Sequence, residues 1–160
     1  MPKIIPHLWF DSRAEEAANF YVSVFKNSKI LSVSHYPNAG QEITGQEAGK
    51  VMTVEFELDG NPFMALNGGP LFKFNESISF MINVDGQEEH DYYFDKLSAV
   101  RESEQCGWVK DKFGVSWQVV PRQLGELMSD PNPAKAEATM KAMLQMKKLD
   151  IAALEKAYKG

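Results

Sequence analysis

An internal repeat is the feature of this sequence that most constrains its fold. A pattern of strand, helix and further strands occurs twice, at a spacing of roughly 54 to 74 residues depending on the element compared. Because self-similarity at such a period marks a repeated supersecondary unit, the chain is expected to fold as two related modules. The corresponding positions are Phe10-Asp11 with Val84-Asp85, Glu15-Glu16 with Glu88-Glu89, Phe20-Tyr21 with Tyr93-Phe94, Val24 with Leu97, and Asp59-Gly60 with Phe113-Gly114.

The first copy is predicted to consist of a strand, a helix and three more strands. Ser12-x-x-Glu15 fits a capping box, which opens a helix, and apolar residues recur at helical spacing after it. Asp59-Gly60 is a strong hairpin signal between the last two strands. The predicted strands are Ile4 to Phe10, Lys29 to Tyr36, Val51 to Leu58 and Phe63 to Leu66, with a polar loop from Pro37 to Gly49.

The second copy is shorter than the first. A strand is predicted from Ile78 to Val84, followed by a helix from about Gln87 to Val100. Two strands follow, Gln105 to Lys110 and Val115 to Val120, joined by a turn at 111–114. The sequence therefore predicts that the third strand of this copy is weak or missing.

The chain from Pro121 onward is predicted to be helical. Asn132 is a plausible N-cap with Pro133 at the first helical position, and Asp150 is expected to cap a last helix. Ala136, Met140, Met143 and Leu144 are predicted to share one face of the first of these helices, and Ile151, Leu154 and Tyr158 the inner face of the last. This Met- and Lys-rich tail is interpreted as an amphipathic cover or dimer-packing arm, with a calmodulin-like or membrane-surface role as the alternative.

Composition restricts the class of protein. A chain of 18.0 kDa with 44% hydrophobic and 24% charged residues is typical of a small globular protein. A net charge of -5 lacks the basic footprint of a nucleic-acid binder, so no nucleic-acid partner is predicted. Cys106 is the single cysteine, so no intrachain disulfide is possible. A polar N-terminus without a signal peptide, and no apolar run near the roughly 20 residues that span a bilayer, predict a cytoplasmic protein without a membrane partner.

Several motifs resemble one known superfamily. The run Pro-His-Leu-Trp-Phe-Asp at 6–11, with Ala-Glu-Glu-Ala at 14–17, resembles the opening of the glyoxalase/bleomycin-resistance/extradiol-dioxygenase superfamily, the vicinal oxygen chelate fold. The run at 111–117 resembles its Asp-x-Phe-Gly-x-x-Trp hairpin. Three further stretches look like its PhnB-like branch, which often carries the label 3-demethylubiquinone-9 3-methyltransferase. These are 54–60, 66–70 and 105–108, and the resemblance extends to the tail at 146–150.

The resemblance implies an α+β fold of paired βαβββ modules, with a C-terminal helical extension. Residues 1–122 are expected to form one domain of two modules, about 1–70 and 76–122, and residues 123–160 the helical arm. Proteins of this kind commonly form dimers, sometimes by exchanging modules, so a homodimer is predicted. Whether the modules pair within one chain or between two chains is left open.

The resemblance also implies a cleft in which superfamily enzymes bind a divalent metal through four strands. By repeat register the four positions fall near Ile5, Met64, Ser79 and Gln118, and Gln118 alone is a conceivable ligand. Metal chemistry of this kind uses His and carboxylate ligands, so no metal site and no cofactor are predicted. His7 shares the strand face of Ile5 and is the one residue that favours a metal.

The function predicted from these features is the binding of a small organic molecule in an apolar cleft, with sparse polar anchors. Metal-dependent lyase, isomerase or dioxygenase activity, the methyltransferase activity of the family label, and a dimeric scaffold without a ligand remain alternatives. The residues predicted to line the cleft are His7, Trp9, Met64, Asn67, Ser79, Trp108 and Gln118.

No catalytic residue is assigned. Gly68-Gly69-Pro70 follows a hairpin strand and precedes no helix, unlike the glycine-rich turn of an S-adenosylmethionine site, so a tight loop is favoured. Cys106 is interpreted as a small buried residue on a strand. Glu55 and Glu57 share a strand face and are either a solvated face or an acid–base pair. His35 and His90 are expected to be surface residues.

Overall fold

The structure is a computed structural model that describes residues 2–160. The chain divides into two compact units, the first ending at Phe74 (unit 1) and the second running from Asn75 to Gly160 (unit 2). Each unit combines helices with one mixed sheet, which confirms the predicted α+β fold of two related modules with a C-terminal helical extension. The helical arm belongs to unit 2.

Unit 1 contains the complete strand–helix–strands pattern. Its sheet has the order β1-β4-β3-β2, in which β1 runs parallel to β4 and the other pairs are antiparallel. A four-residue helix lies within the predicted loop 37–49. The elements are β1 His7–Phe10, α1 Ala14–Val24, β2 Lys29–His35, α2 Gln41–Thr44, β3 Val51–Leu58 and β4 Asn61–Asn67.

The core of unit 1 lies between α1 and one face of the sheet. Strand side chains alternate between the two faces, so every second residue of β3 and β4 points towards α1. The ring of Tyr21 on α1 stacks on Phe56 at 6.3 Å, and Phe56 stacks on Phe63 at 5.5 Å. The buried residues of this core include Leu8, Phe10, Ala14, Ala17, Ala18, Tyr21, Val24, Val54, Phe56, Leu58, Phe63 and Ala65.

The predicted capping box at the start of α1 is wrong. The helix begins at Ala14, Arg13 is the N-cap residue, and no side chain near it in sequence caps the helix. Instead the Ala14 amide donates to Oδ1 of Asn67 at 2.8 Å, from the end of β4. A residue distant in sequence therefore satisfies a helix amide that the predicted box would not reach.

Unit 2 repeats the pattern with one strand fewer, as predicted. Its sheet has the order β5-β7-β6, with β5 parallel to β7 and β6 antiparallel to it. The elements are β5 Ser79–Val84, α3 Gln87–Leu97, β6 Trp108–Lys110, β7 Ser116–Pro121, α4 Arg122–Met128, α5 Pro133–Leu144 and α6 Ile151–Lys159. A short 3-10 turn, Arg101–Ser103, stands between α3 and β6.

The Asp-x-Phe-Gly-x-x-Trp motif forms a tight turn before β7. Asp111 is buried, and its Oδ1 accepts hydrogen bonds from the amides of Phe113 and Val115 at 2.9 and 3.0 Å. Its Oδ2 accepts from Nε1 of Trp117 at 2.9 Å. Gly114 has a φ of 93°, a conformation that costs glycine little. One carboxylate therefore fixes both the turn and the buried indole.

The arm helices α4 to α6 pack around their own apolar cluster. Leu124, Leu149 and Leu154 are its buried members. The predicted N-caps are confirmed, because Asn132 accepts from the Ala134 amide and Asp150 from the Ala153 amide. The predicted apolar face of α5 is only partly correct. Met143 packs against the cluster, but Met140 and Leu144 are 45% and 46% exposed, whereas Thr139 is buried.

No helix among residues 2–160 has the length and apolar character needed to cross a membrane.

Candidate functional site

The face of the unit 1 sheet away from α1 brings together three of the predicted site residues. His7 and Trp9 alternate along β1 with Leu8 and Phe10, which point towards α1. Because β1 and β4 pair in parallel, His7 lies beside Met64 and Trp9 beside Leu66. Register partners project from the same face of a sheet, so this face (the Trp9 face) carries His7, Trp9, Met64 and Leu66.

The indole of Trp9 is held in place from three sides. Its Nε1 donates to the carbonyl oxygen of Gly69 at 2.9 Å. The ring of Phe72 meets it edge-on at a centroid distance of 5.0 Å and an angle of 76°. A Cβ atom on Gly68 would lie 2.4 Å from the indole ring, so only glycine fits beside it. The two glycines after β4 therefore position an aromatic side chain.

The acidic residues of β3 lie on the same face and have polar neighbours. Glu55 is the register partner of Met64, and its Oε2 accepts from the hydroxyl of Ser32 at 2.9 Å. Glu57 lies 3.9 Å from Nζ of Lys29. Each carboxylate therefore has its own partner on β2. This favours the interpretation of Glu55 and Glu57 as a solvated strand face over their interpretation as an acid–base pair.

Asn67 does not join the other predicted residues of unit 1. Its side chain lies on the α1 side of the sheet, where it caps α1 and donates through Nδ2 to the carbonyl oxygen of Val51 at 3.1 Å. Its own carbonyl oxygen accepts from the hydroxyl of Tyr36 at 2.6 Å. With 8% of its surface exposed, Asn67 has a structural role.

The face of the unit 2 sheet away from α3 carries the remaining predicted residues. Trp108 and Met81 are the register partners of Gln118 on its two sides. Nε2 of Gln118 donates to the hydroxyl of Ser79 at 2.8 Å. This face (the Trp108 face) therefore holds Ser79, Trp108 and Gln118 together.

Sequence reasoning missed two polar residues of the Trp108 face. Ser116 is the register partner of both Ser79 and Lys110, and Lys110 pairs with the carboxylate of Glu76. The Ser116 hydroxyl is buried and has no hydrogen-bond partner among residues 2–160. Ser116 could have been predicted from the two-residue period of β7, because this period places it on the same face as Gln118.

A cavity of about 580 Å³ adjoins the far end of the Trp108 face. Asn83 and Val120, which are register partners, line it together with Arg122 and Gly125. Arg122 is already paired with Asp85 at 2.9 Å and with Glu126. The cavity thus extends the sheet face towards the start of the arm.

Two predicted placements outside these faces are wrong. His90 was expected at the surface, but it has no exposed area, because it lies on the packed side of α3. Cys106 was expected on a strand, but the strand begins only at Trp108, and Cys106 is half-buried in a turn with a φ of 50°. His35 is exposed, as predicted.

The residues at the metal positions that the resemblance implies do not fit a divalent metal. Met64 offers a thioether, Gln118 an amide that donates to Ser79, and Ile5 no ligand atom. His7 lies beside Met64 and not beside a second nitrogen or carboxylate ligand on β4. Within residues 2–160 no group of three or more His, Cys, Asp or Glu side chains is arranged to hold a metal ion. Hard divalent metals prefer charged oxygen and imidazole ligands, which these positions lack.

The residues also do not fit S-adenosylmethionine as an open parallel-sheet enzyme would bind it. The turn between β1 and α1 is Asp-Ser-Arg at 11–13 and contains no glycine. Gly68 and Gly69 follow β4, and they hold the Trp9 indole without leading into a helix. The cradle of backbone amides that a glycine-rich loop presents at a helix N-terminus is therefore not built here.

Comparison with known proteins places the chain in a family. Residues 2–120 match the model of the family described as 3-demethylubiquinone-9 3-methyltransferase, and the chain belongs to that family. The expected PhnB-like membership is thereby confirmed. A search of curated proteins found no match.

Solved structures agree with this assignment. A putative 3-demethylubiquinone-9 3-methyltransferase, PhnB protein, from Bacillus cereus is 34% identical, with a TM-score of 0.62, and the match covers 75% of this chain and 99% of that one. Protein PA1353 from Pseudomonas aeruginosa is 20% identical, with a TM-score of 0.56, covering 76% of this chain and 98% of that one. The second likeness concerns the fold alone.

Proposed function

We propose that this protein binds a small organic molecule against an exposed sheet face, the Trp9 face of unit 1, without a catalytic metal. The observation that carries the proposal is the preset indole of Trp9, held by Gly69 and Phe72 on the sheet face opposite α1. An aromatic wall that is fixed before binding costs a ligand little conformational entropy.

The chemistry of the Trp9 face supports an apolar or aromatic ligand. Trp9, Met64 and Leu66 are half-buried, and Phe72 is 58% exposed. His7 and Glu55 are the polar groups at its edge and centre. Small-molecule sites are typically apolar with a few placed polar groups, and this set has that composition. Gln118 and Ser79 supply comparable anchors on the Trp108 face.

Thermal-shift screening of aromatic and apolar compounds tests the proposal. We expect a subset of compounds to raise the melting temperature, because a ligand that binds the folded state stabilises it. Met64→Lys places a charge at the centre of the Trp9 face, opposite Glu55, and should reduce the shift to near zero. Ile43→Lys is the matched control, since Ile43 is 86% exposed in α2. A screen without hits, or hits that stabilise both variants equally, would reject ligand binding on this face.

The methyltransferase activity in the family description is the second candidate, and that description is the observation in its favour. It requires binding of S-adenosylmethionine, which isothermal titration measures directly. We expect no stoichiometric heat, because neither the turn before α1 nor the glycines after β4 form an amide cradle for the methyl donor. Elemental analysis of the purified protein addresses the lyase, isomerase and dioxygenase alternatives in the same way. One equivalent of a divalent metal would favour them and assign His7 as a ligand.

A homodimer is the remaining part of the proposal. The edge strand β2 exposes Leu31 and Val33 by 46% and 37%, and an exposed apolar edge of a sheet favours pairing with another chain. Light scattering after gel filtration is expected to give twice the 18.0 kDa mass of one chain. A mass of 18.0 kDa at micromolar concentration would show a monomer.

A further inference from the structure

A buried histidine in α3 has a hydrogen-bonding atom that nothing satisfies. His90 is fully buried, and its Nε2 has no partner among residues 2–160. Its Nδ1 lies 3.4 Å from Oδ1 of Asp91, at the limit of a hydrogen bond. The ring stacks on Phe94, one helical turn later, at 5.8 Å and 24°. In this apolar environment a neutral imidazole is tolerated, whereas a protonated imidazole costs free energy because its charge is buried.

The same side of α3 holds the segment that leads into α6. Nε2 of Gln87 donates to the carbonyl oxygen of Leu149 at 2.8 Å and to Oδ1 of Asp91 at 2.9 Å. Oε1 of Gln87 accepts from the Ile151 amide at 2.8 Å. One side-chain amide thus bridges α3 to both ends of the turn that starts α6.

Lys148 adds a second contact between this segment and α3. Its Nζ lies 2.7 Å from a carboxylate oxygen of Asp95 and 5.5 Å from the centroid of the Phe94 ring. Gln87, His90 and Phe94 follow one another at spacings of three and four residues, so they share one helix face. His90 therefore lies between the two groups that hold residues 148–151 (the latch segment) on α3.

We propose that His90 is an acid-sensitive latch, which holds the latch segment on α3 when the ring is neutral and releases it when the ring is protonated. A charged ring cannot stay in the apolar position on Phe94 without a solvent or carboxylate partner for Nε2. A cavity of about 670 Å³ is lined by Gln87, Asp91 and the latch segment. Through this cavity, water can reach the contact between Gln87 and the latch segment. The segment's movement would let the ring reach water.

Burial and the neighbouring charged groups determine the direction in which the pKa of His90 is shifted. Burial lowers the pKa of His90 below its ordinary value, and Lys148 acts in the same sense, whereas Asp91 and Asp95 oppose them. On the side of β6 and β7 that faces α3, the buried residues Val109, Trp117 and Val119 are apolar and add no charge. The open state thus takes up a proton more readily than the closed state.

The pKa of the carboxylate next to His90, that of Asp91, is also shifted. Burial by itself would raise the pKa of Asp91, but hydrogen bonds from Gln87 and His90, together with the nearby charges of Lys148 and His90, leave that pKa below its ordinary value. Between the ordinary pKa of histidine, about 6.5, and the lower pKa of the closed state, the population of the open segment should rise about tenfold per pH unit. Above pH 7 the latch is closed.

NMR tests the latch directly. The ring resonances of His90 report its protonation, and the protection factor of the Ile151 amide, corrected for intrinsic exchange, reports the contact with Gln87. The Phe25 amide, which donates to Tyr21 in α1, reports on unit 1. We expect Ile151 protection to fall about tenfold per pH unit below about pH 6.5, with Phe25 unchanged. The latch would be overturned if the protection factor of Ile151 stayed constant while His90 became protonated. It would also be overturned if the protection factor of Phe25 fell as much as that of Ile151.

Two variants separate titration from packing. His90→Phe keeps an aromatic ring on Phe94 and removes the proton, so Ile151 protection should become independent of pH. His90→Gln keeps a polar, uncharged side chain and should do the same, which covers the case in which the phenyl ring does not fit. His35→Gln is the control, because His35 is exposed on β2 and should leave the pH response intact. A pH response that persists in both His90 variants would assign the proton to another group.

Discussion

Asn67 shows how much of unit 1 depends on one side chain. It satisfies the first amide of α1, the Val51 carbonyl on β3 and, through its own carbonyl, the Tyr36 hydroxyl. From the sequence, Asn67 is an asparagine before two glycines and predicts a turn or a polar ligand contact. Its long-range partners depend on β4 lying parallel to β1, which no local pattern specifies.

Replacing Asn67 with alanine should lower the free energy of unfolding by about 2–3 kcal/mol, because it leaves a buried amide and a partly buried carbonyl unsatisfied. Asn38→Ala in the exposed loop after β2 is the control and should stay within about 0.5 kcal/mol of the parent. Urea unfolding at equilibrium measures both. Equal midpoints for the two variants would contradict the structural role of Asn67.

At the level of elements, local signals predicted the starts of α5 and α6 but not that of α1, and the inner face of α6 but not all of that of α5. Asn132 and Asp150 cap α5 and α6 through amides two and three residues away, so their role is readable from the sequence alone. The apolar pattern of α5 instead suggested an inward Met140. Which side of α5 faces inward is decided by α4 and α6, whose positions a one-helix pattern does not contain.

Helix α4 contains a glycine at its centre, and this glycine predicts a stabilising change. A Cβ atom built on Gly125 meets no atom within 4 Å, and its φ is not in the left-handed range. Gly125→Ala should raise the free energy of unfolding by about 0.5–1 kcal/mol through helix propensity. Thermal unfolding followed by circular dichroism measures the change. A lower melting temperature would mean that the space beside Gly125 is required.

At the level of the whole molecule, the family model and the compact units end at different places. The match covers residues 2–120, whereas unit 2 continues to Gly160. The arm is joined to the repeated part by backbone hydrogen bonds from Cys106 to Met146 and from Gly107 to Lys147, at 2.9 and 2.8 Å. The repeat and the helical arm were predictable from periodicity. The burial of His90 was not, since His90 is in contact with residues that pair with the arm.

Removing the arm tests whether the family-matched region of unit 2 is stable without it. A chain ending at residue 120 loses Leu149, which packs within 3.1 Å of where a Gly107 Cβ would lie, and the bridge from Gln87. We expect exposed apolar surface, measured as strong binding of anilinonaphthalene sulfonate, and loss of protection in α3. The Phe25 amide, which donates to Tyr21 of α1, should remain protected. A truncated chain with the parent's melting temperature would show that the arm is dispensable.

The parallel pairing of β1 with β4 also fixes the order in which unit 1 can complete itself during synthesis. Ala14 reaches its partner Asn67 across 53 residues, so the start of α1 leaves the ribosome long before its cap exists. Until β4 follows, the sheet that covers the apolar side of α1 is incomplete, and nascent chains of intermediate length expose part of that surface. Translation pauses before residue 67 should therefore increase chaperone binding and aggregation of this protein.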